Sequence, residues 1–171
     1  AATTANYEVE TLAPSVNSFT LSDTSLKAGD NATVTLVFSE TVASFSSSAD
    51  ITVANGTLAT MTSSDNITWT GTFTPTANTE DASNTLSLAT SYTDIAGNAG
   101  PAATTANYEV DTLAPTISSV TAGWGAYLNA TEDDSAGTVT VVTSGAENGE
   151  TVTVSLNGTN YTGTVSANST S

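Results

Sequence analysis

A thirteen-residue segment occurs twice in this sequence, as ATTANYEVETLAP at residues 2–14 and as ATTANYEVDTLAP at residues 103–115. The two copies differ at one position, where Glu10 corresponds to Asp111. Their spacing of 101 residues is the length of one small domain. The repeat therefore predicts tandem modules, an arrangement typical of proteins that need reach, stiffness or multivalency rather than catalysis.

The repeat also sets the predicted domain boundaries. We predict that residues 1–11 are the C-terminal strand of a preceding module, that residues 12–113 form a complete module, and that residues 114–171 form an incomplete second module. Each copy ends in a proline, Pro14 or Pro115, which restricts the residue before it and so marks the boundary. The incomplete module would expose strand edges and an apolar face. A strand from a neighbouring chain is the alternative to simple incompleteness, since residues 1–11 are available for donor-strand pairing.

Period-two alternation of apolar and polar residues indicates β-strands throughout. From Ile67 to Phe73, apolar residues alternate with threonines, so Trp69 is predicted to lie in the core. Turn signals such as Asn55-Gly56 separate the runs. The pattern predicts an all-β fold without helices, built from tandem Greek-key β-sandwich modules of about seven strands, the last one incomplete. The predicted strands lie near residues 16–22, 32–38, 51–54, 57–62, 67–74, 85–90 and 104–110, and in the second module at 138–142, 151–156 and 161–165.

Composition excludes several classes of function. The chain has 17 acidic residues, one basic residue (Lys27), no His and no Cys, for a net charge of −16. Binding of nucleic acid needs clusters of Lys and Arg, so nucleic acid is excluded as a partner. No apolar run is long enough for direct membrane insertion. Without His or Cys most acid–base and nucleophilic sites are unavailable, so we expect no enzyme.

Several motifs together resemble the bacterial Ig-like domains repeated in giant surface adhesins of the biofilm-associated and RTX type. The resemblance implies secretion to the cell surface, a role in cell adhesion and biofilm formation, and modules that act as extenders, contacting neighbouring modules of the same chain and stiffened by calcium near their junctions. It rests on the segments FSE at 38–40, Phe45, ADI at 49–51, NG at 55–56, YTD at 92–94 and AGN at 96–98, and in the second half on YLN at 127–129, GAENG at 145–149 and VSLNGTNY at 154–161.

Calcium also fits the residue types, because Ca²⁺ takes about six to eight oxygen ligands and needs neither His nor Cys. By analogy with that family, the junction site maps onto Asp94, Asn98 and Asp111. Charge density adds an acidic run in an early loop of the next module, Glu132, Asp133 and Asp134. The alternative is that such Asp and Asn residues cap turns.

A second candidate calcium site is a compact loop that contains Glu80, Asp81 and Asn84. It is predicted between the strand ending at Thr74 and the one starting near Thr85. Like charges this close repel each other, and a divalent cation would relieve that repulsion. As at the junction, turn capping by the same side chains is the alternative.

Two rival functions remain open at the level of sequence. A ligand-binding tip module would need an exposed aromatic residue, for which Trp124 between two glycines is a candidate, or a flat threonine array, for which residues 68–74 are a candidate. A filament subunit would use the strand at residues 1–11 to complete the open module of another copy of the chain.

Overall fold

The computed structural model describes residues 4–127, 129–131 and 136–166. The chain divides into two compact units, Ala1–Thr112 and Leu113–Ser171. The all-β expectation is confirmed, since strands dominate both units. In the described part of the chain one helical turn, α1 (Ser47–Asp50), is present where the sequence predicted none.

The first unit contains one four-stranded sheet and two three-stranded sheets. Its strands are β1 (Val16–Leu21), β2 (Ser25–Lys27), β3 (Ala32–Phe38), β4 (Ile51–Thr52), β5 (Gly56–Leu58), β6 (Thr68–Pro75), β7 (Glu80–Asn84), β8 (Ser87–Leu88), β9 (Ala103–Thr104) and β10 (Tyr108–Asp111). The strand order is β1-β3-β6-β5 in the first sheet, β2-β10-β7 in the second and β4-β8-β9 in the third. β10 pairs with β2 in parallel and with β7 in antiparallel orientation.

One apolar core holds these sheets together. Every second residue of β3 is buried, from Ala32 through Val34 and Leu36 to Phe38, as the alternation predicts. β6 follows the same rule: its threonines are exposed, Phe73 is fully buried and Trp69 packs against the core cluster. The other sheets contribute the buried side chains Leu26, Ile51, Leu88, Tyr108 and Val110, and Leu86 between β7 and β8 is buried with them. The core therefore lies between facing sheets, as in a β-sandwich.

The structure corrects two sequence predictions in the first unit. The loop expected around Glu80 and Asp81 is strand β7, whose sequence EDASN lacks apolar alternation and which is held by pairing with β10. The helical turn α1 was missed because four residues carry no helical period. It is stabilised by the Asp50 carboxylate, which accepts a hydrogen bond from the Ser46 backbone amide at 2.7 Å.

Residues 4–14, the described part of the first copy of the repeat, contain no strand. The corresponding residues 108–111 of the second copy form β10. The prediction that residues 1–11 are the last strand of a preceding module concerns a module other than the two described here, so it stays a prediction.

Among its described residues, the second unit contains two antiparallel strand pairs. These are β11 (Thr116–Ala122) with β12 (Val139–Ser144), and β13 (Thr151–Leu156) with β14 (Thr159–Thr164). β13 and β14 are joined by Asn157-Gly158, both with positive φ (48° and 79°), which suits a two-residue hairpin turn. Several large apolar side chains of this unit are exposed, namely Ile117, Val120, Val142, Leu156 and Tyr161.

Candidate functional site

Asp94 and Asn98 form one tightly bonded turn. Asp94 is only 2% exposed, and its two carboxylate oxygens accept hydrogen bonds from the backbone amide and the side-chain amide of Asn98, each at 2.8 Å. Gly97 between them has φ +94°, a conformation that L side chains rarely adopt. The structure thus places Asp94 and Asn98 together in this turn, which both residues cap, and their role as calcium ligands stays a prediction.

The hydrogen bond from the Asn98 side chain is the main cause that lowers the pKa of Asp94 from its ordinary value of 3.8. Backbone amides of the same turn act in the same direction, and burial opposes them. Asp94 is therefore held as an anion by donors of its own turn.

The same turn contacts the chain segment that enters the first unit. The side-chain nitrogen of Asn98 lies 3.4 Å from the backbone oxygen of Glu10 and 3.5 Å from that of Leu12. The Glu10 carboxylate folds back to accept a hydrogen bond from the Leu12 backbone amide at 2.6 Å. Three oxygen atoms, from Asp94, Glu10 and Leu12, thus surround one nitrogen atom.

The entering segment is fixed to the body of the unit just beyond this point. Pro14 is fully buried. The Ser15 backbone amide donates to the Ser39 hydroxyl at 2.9 Å, and the Ser39 backbone amide donates to the Ser15 carbonyl at 2.9 Å. The segment at residues 10–15 is therefore attached through contacts at both of its ends.

Asp111, the third predicted junction residue, belongs to a different part of the unit. It ends β10, in register with Glu80 of β7 and with Lys27 of β2. The residue that meets the Asp94 turn is Glu10, the counterpart of Asp111 in the first copy of the repeat. Sequence reasoning left Glu10 out of the site, although the repeat itself carried the signal for it.

The second predicted cluster forms a hydrogen-bonded network that positions β7. The Asn55 side-chain amide donates to Asp81 and to the Asn84 side-chain oxygen, each at 2.7 Å. The buried Asn84 amide in turn donates to the backbone oxygens of Asp81 (2.8 Å) and Tyr108 (3.2 Å). Glu80 is exposed at the start of the strand. The side-chain oxygens of Asp81 and Asn84 thus already accept hydrogen bonds from Asn55, while the Asn84 amide nitrogen joins β7 to β10.

The remaining predicted ligands, Glu132, Asp133 and Asp134, lie outside the described residues. Across residues 4–127, 129–131 and 136–166, no group of three or more His, Cys, Asp and Glu side chains could hold a metal ion. A cation at the Asp94 turn would therefore need backbone and amide oxygens as well as carboxylates. Trp124, the candidate stacking residue, is half-buried, and its ring packs against Gly137.

A family model described as the bacterial Ig-like domain matches residues 10–110. Comparisons with curated proteins and with solved structures gave no match. Within the part of the chain that the structure describes, no helix is long and apolar enough to cross a membrane.

Proposed function

The chain belongs to the bacterial Ig-like domain family, and from that membership we propose that it is an extender repeat of a large bacterial surface adhesin. In this proposal it lies outside the cell, contacts neighbouring modules of the same chain and supports adhesion and biofilm formation without catalysing a reaction. Three features support it: the sandwich fold, the segment repeated after 101 residues, and the acidic surface with one basic residue. Its role is mechanical: a row of rigid modules extends over a long distance only if the joints between the modules resist bending.

The observation that carries the proposal is the attachment of residues 10–15 to the body of the first unit. Pro14 is buried, Ser15 and Ser39 exchange two hydrogen bonds, and Asn98 contacts the backbone at residues 10 and 12. A flexible linker would leave these groups in water. A segment held at several points instead fixes the direction in which the preceding chain leaves the module.

Calcium is the stiffening agent in this proposal. The oxygens around Asn98 come from a carboxylate and two backbone carbonyls, and the Glu10 carboxylate accepts a hydrogen bond from the backbone amide of Leu12 in the same segment. This is a donor set that suits a hard cation. Asp94, Asn98, Glu10 and Leu12 would hold the ion, and the ion would join the entering segment to the turn. Two carboxylates, Asp94 and Glu10, would then be neutralised at the joint.

The test is a melting experiment on the whole chain, with calcium and with chelator. Extracellular modules bind Ca²⁺ with dissociation constants of about 10⁻⁴–10⁻³ M. A tenfold excess over such a constant stabilises the folded state by about 1.4 kcal/mol. For a domain of this size we expect the melting temperature of the first unit to rise by roughly 6–11 °C.

Matched variants locate the site. Asp94→Asn and Glu10→Gln should each reduce the calcium-dependent shift. Asp65→Asn should leave it unchanged, because Asp65 caps a separate turn through Ser63, Ile67 and Thr68. A calcium shift below a degree or two in the unaltered chain would dispose of the calcium proposal. Small-angle scattering that reports a freely bending chain at millimolar calcium would dispose of the stiff extender as well.

A further inference from the structure

The tripeptide Asn-Gly-Thr occurs twice in this sequence, at residues 55–57 and at residues 157–159. An asparagine followed by glycine can react with its own backbone, because glycine has no side chain to hinder the approach. Both asparagines have positive φ, 45° for Asn55 and 48° for Asn157. The two sites therefore share their local sequence and this backbone angle, and the rest of the fold decides how each of them reacts.

The reaction is deamidation of the asparagine side chain. At residues 55–56 the Gly56 backbone nitrogen attacks Cγ of Asn55 and gives up its proton, the bond between Cγ and Nδ2 breaks, and ammonia leaves. The product is a succinimide ring in which Cγ is bonded to the backbone nitrogen. Water then opens the ring at either of its carbonyl carbons and leaves an aspartate or an isoaspartate at position 55. Nothing is oxidised or reduced.

In the folded first unit Asn55 is held by groups that are distant in sequence. Its Nδ2 donates to Oδ2 of Asp81 and to Oδ1 of Asn84, each at 2.7 Å. Asp81 is itself oriented, because its Oδ1 accepts from the Ser83 backbone amide at 2.9 Å. The Asn55 carbonyl accepts from the Thr76 backbone amide at 2.9 Å. Closing the ring requires both the side chain and the backbone of Asn55 to turn, so these hydrogen bonds oppose it.

The orientation of the Asn55 amide follows from its partners. A carboxylate only accepts hydrogen bonds, so the Asn55 atom that faces Asp81 is the nitrogen. The nitrogen of Asn84 already faces the backbone oxygens of Asp81 and Tyr108, at 2.8 and 3.2 Å, so its oxygen faces Asn55. A carboxylate in place of the Asn55 amide would therefore face two acceptors and have no donor to offer them.

The fold requires both residues of this reactive pair. A Cβ at Gly56 would lie 2.2 Å from the Phe73 ring and 2.8 Å from the Thr74 backbone oxygen. The residue at position 55 must tolerate a positive φ and donate two hydrogen bonds, and asparagine does both. The packing that makes Asn-Gly necessary here is thus accompanied by the hydrogen bonds that oppose its reaction.

We propose that Asn55 is a concealed deamidation site, which the folded first unit protects and which becomes reactive when that unit opens. In the folded state the reaction proceeds only from the fraction of molecules in which Asn55 has left Asp81 and Asn84. The acidic product loses both hydrogen bonds and sets a second carboxylate against Asp81, which destabilises the refolded unit. Prolonged unfolding therefore leaves a permanent covalent change. This inference does not depend on calcium or on the extender role.

The test compares deamidation of the whole chain in the folded state and in guanidinium chloride, at the same pH and temperature. A protease that cleaves after glutamate places Asn55 in residues 41–80 and Asn157 in residues 151–171, where mass spectrometry follows each site separately. In denaturant Asn157 calibrates the rate of the shared tripeptide. We expect Asn55 to react about tenfold or more slowly in the folded chain than in denaturant. Equal rates of Asn55 in the two states would overturn the proposal.

Matched variants test whether the hydrogen bonds are the cause. Asp81→Ala removes one acceptor and should raise the Asn55 rate in the folded chain several-fold, with no change in denaturant. Glu80→Ala removes the neighbouring, exposed carboxylate of β7 and should leave the Asn55 rate as it is. Melting curves establish that each variant is folded at the assay temperature.

A third variant, Asn55→Asp, carries one of the products from the start. We expect it to melt at a lower temperature than the unaltered chain, because its carboxylate meets Asp81 and Asn84 without a donor. The proposal fails if Asn55 reacts no faster in folded Asp81→Ala than in Glu80→Ala. It also fails if Asn55→Asp melts at the temperature of the unaltered chain.

Discussion

The repeat offers a mutational comparison in which local sequence is held constant and only the structural context changes. Val110→Ala removes two methyl groups from a side chain that is 0% exposed. The lost transfer free energy is about 0.8 kcal/mol per group, and the residual cavity adds to it, so we expect a loss of about 2–3 kcal/mol in the free energy of unfolding. For a domain of this size that corresponds to a melting temperature lower by roughly 10–20 °C.

The control is Val9→Ala, because Val9 lies between two acidic residues in the first copy just as Val110 does in the second. Val9 is 71% exposed, and substitutions at exposed positions usually change the free energy of unfolding by less than about 0.5 kcal/mol. Urea unfolding followed by the fluorescence of Trp69 measures both, in a Trp124→Phe background so that only the first unit reports. Equal effects of the two substitutions would refute the reasoning, because the burial of β10 would then carry no energy.

Three further predictions test other parts of the first unit. The pKa of Asp94 is lowered by hydrogen bonds of its turn. The stability that Asp94 contributes is therefore present above its unfolded pKa and is lost as the pH falls through the folded value. In an acid titration, the melting temperature of Asp94→Asn should fall less steeply below about pH 4 than that of the unaltered chain. Burial raises the pKa of Tyr92 and of Tyr108 to about 12. Their contribution to stability is therefore present below the unfolded pKa of 10.0 and is lost as the pH rises through the folded value. Phenolate absorbance should show these two tyrosines ionising well above pH 10.0. Gly56→Ala would place its Cβ 2.2 Å from the buried Phe73 ring and 2.8 Å from the Thr74 backbone oxygen, and overpacking of this kind costs about 1–3 kcal/mol; Gly163→Ala, with open space around it, should leave the melting curve unchanged.

The strands that could be read from the sequence are those whose own residues carry the signal. In β3 and β6 the side chains alternate between core and solvent, so period two was visible without knowledge of any partner. β7 could not be read in this way. Its residues are mostly polar, and its strand conformation depends on pairing with β10, whose register partners lie 24 to 31 residues further along the chain.

The placement of the candidate site residues could be predicted where it is local and could not be predicted where it depends on distant parts of the chain. The turn that joins Asp94 to Asn98 spans five residues, and Gly97 and Asn98 are residue types that predict a turn from sequence alone. The partner of that turn depends on where the chain enters the unit, which no periodicity encodes. Asp111 was placed in the site by analogy with the family, but it is the backbone oxygen of Glu10 that contacts Asn98.

The two states of the repeat show that its strand conformation is not a local property. Residues 4–11 and 105–112 differ by one methylene group, yet only the latter lie in a sheet, because β2 and β7 supply the hydrogen bonds and Phe73 supplies the apolar contact. A single extended segment has no partner for its backbone and gains little from its own propensity. The repeat therefore specifies the apolar face that Tyr108 and Val110 turn inward. That face is buried, and the strand forms, only where neighbouring strands and an apolar core are present to pack against it.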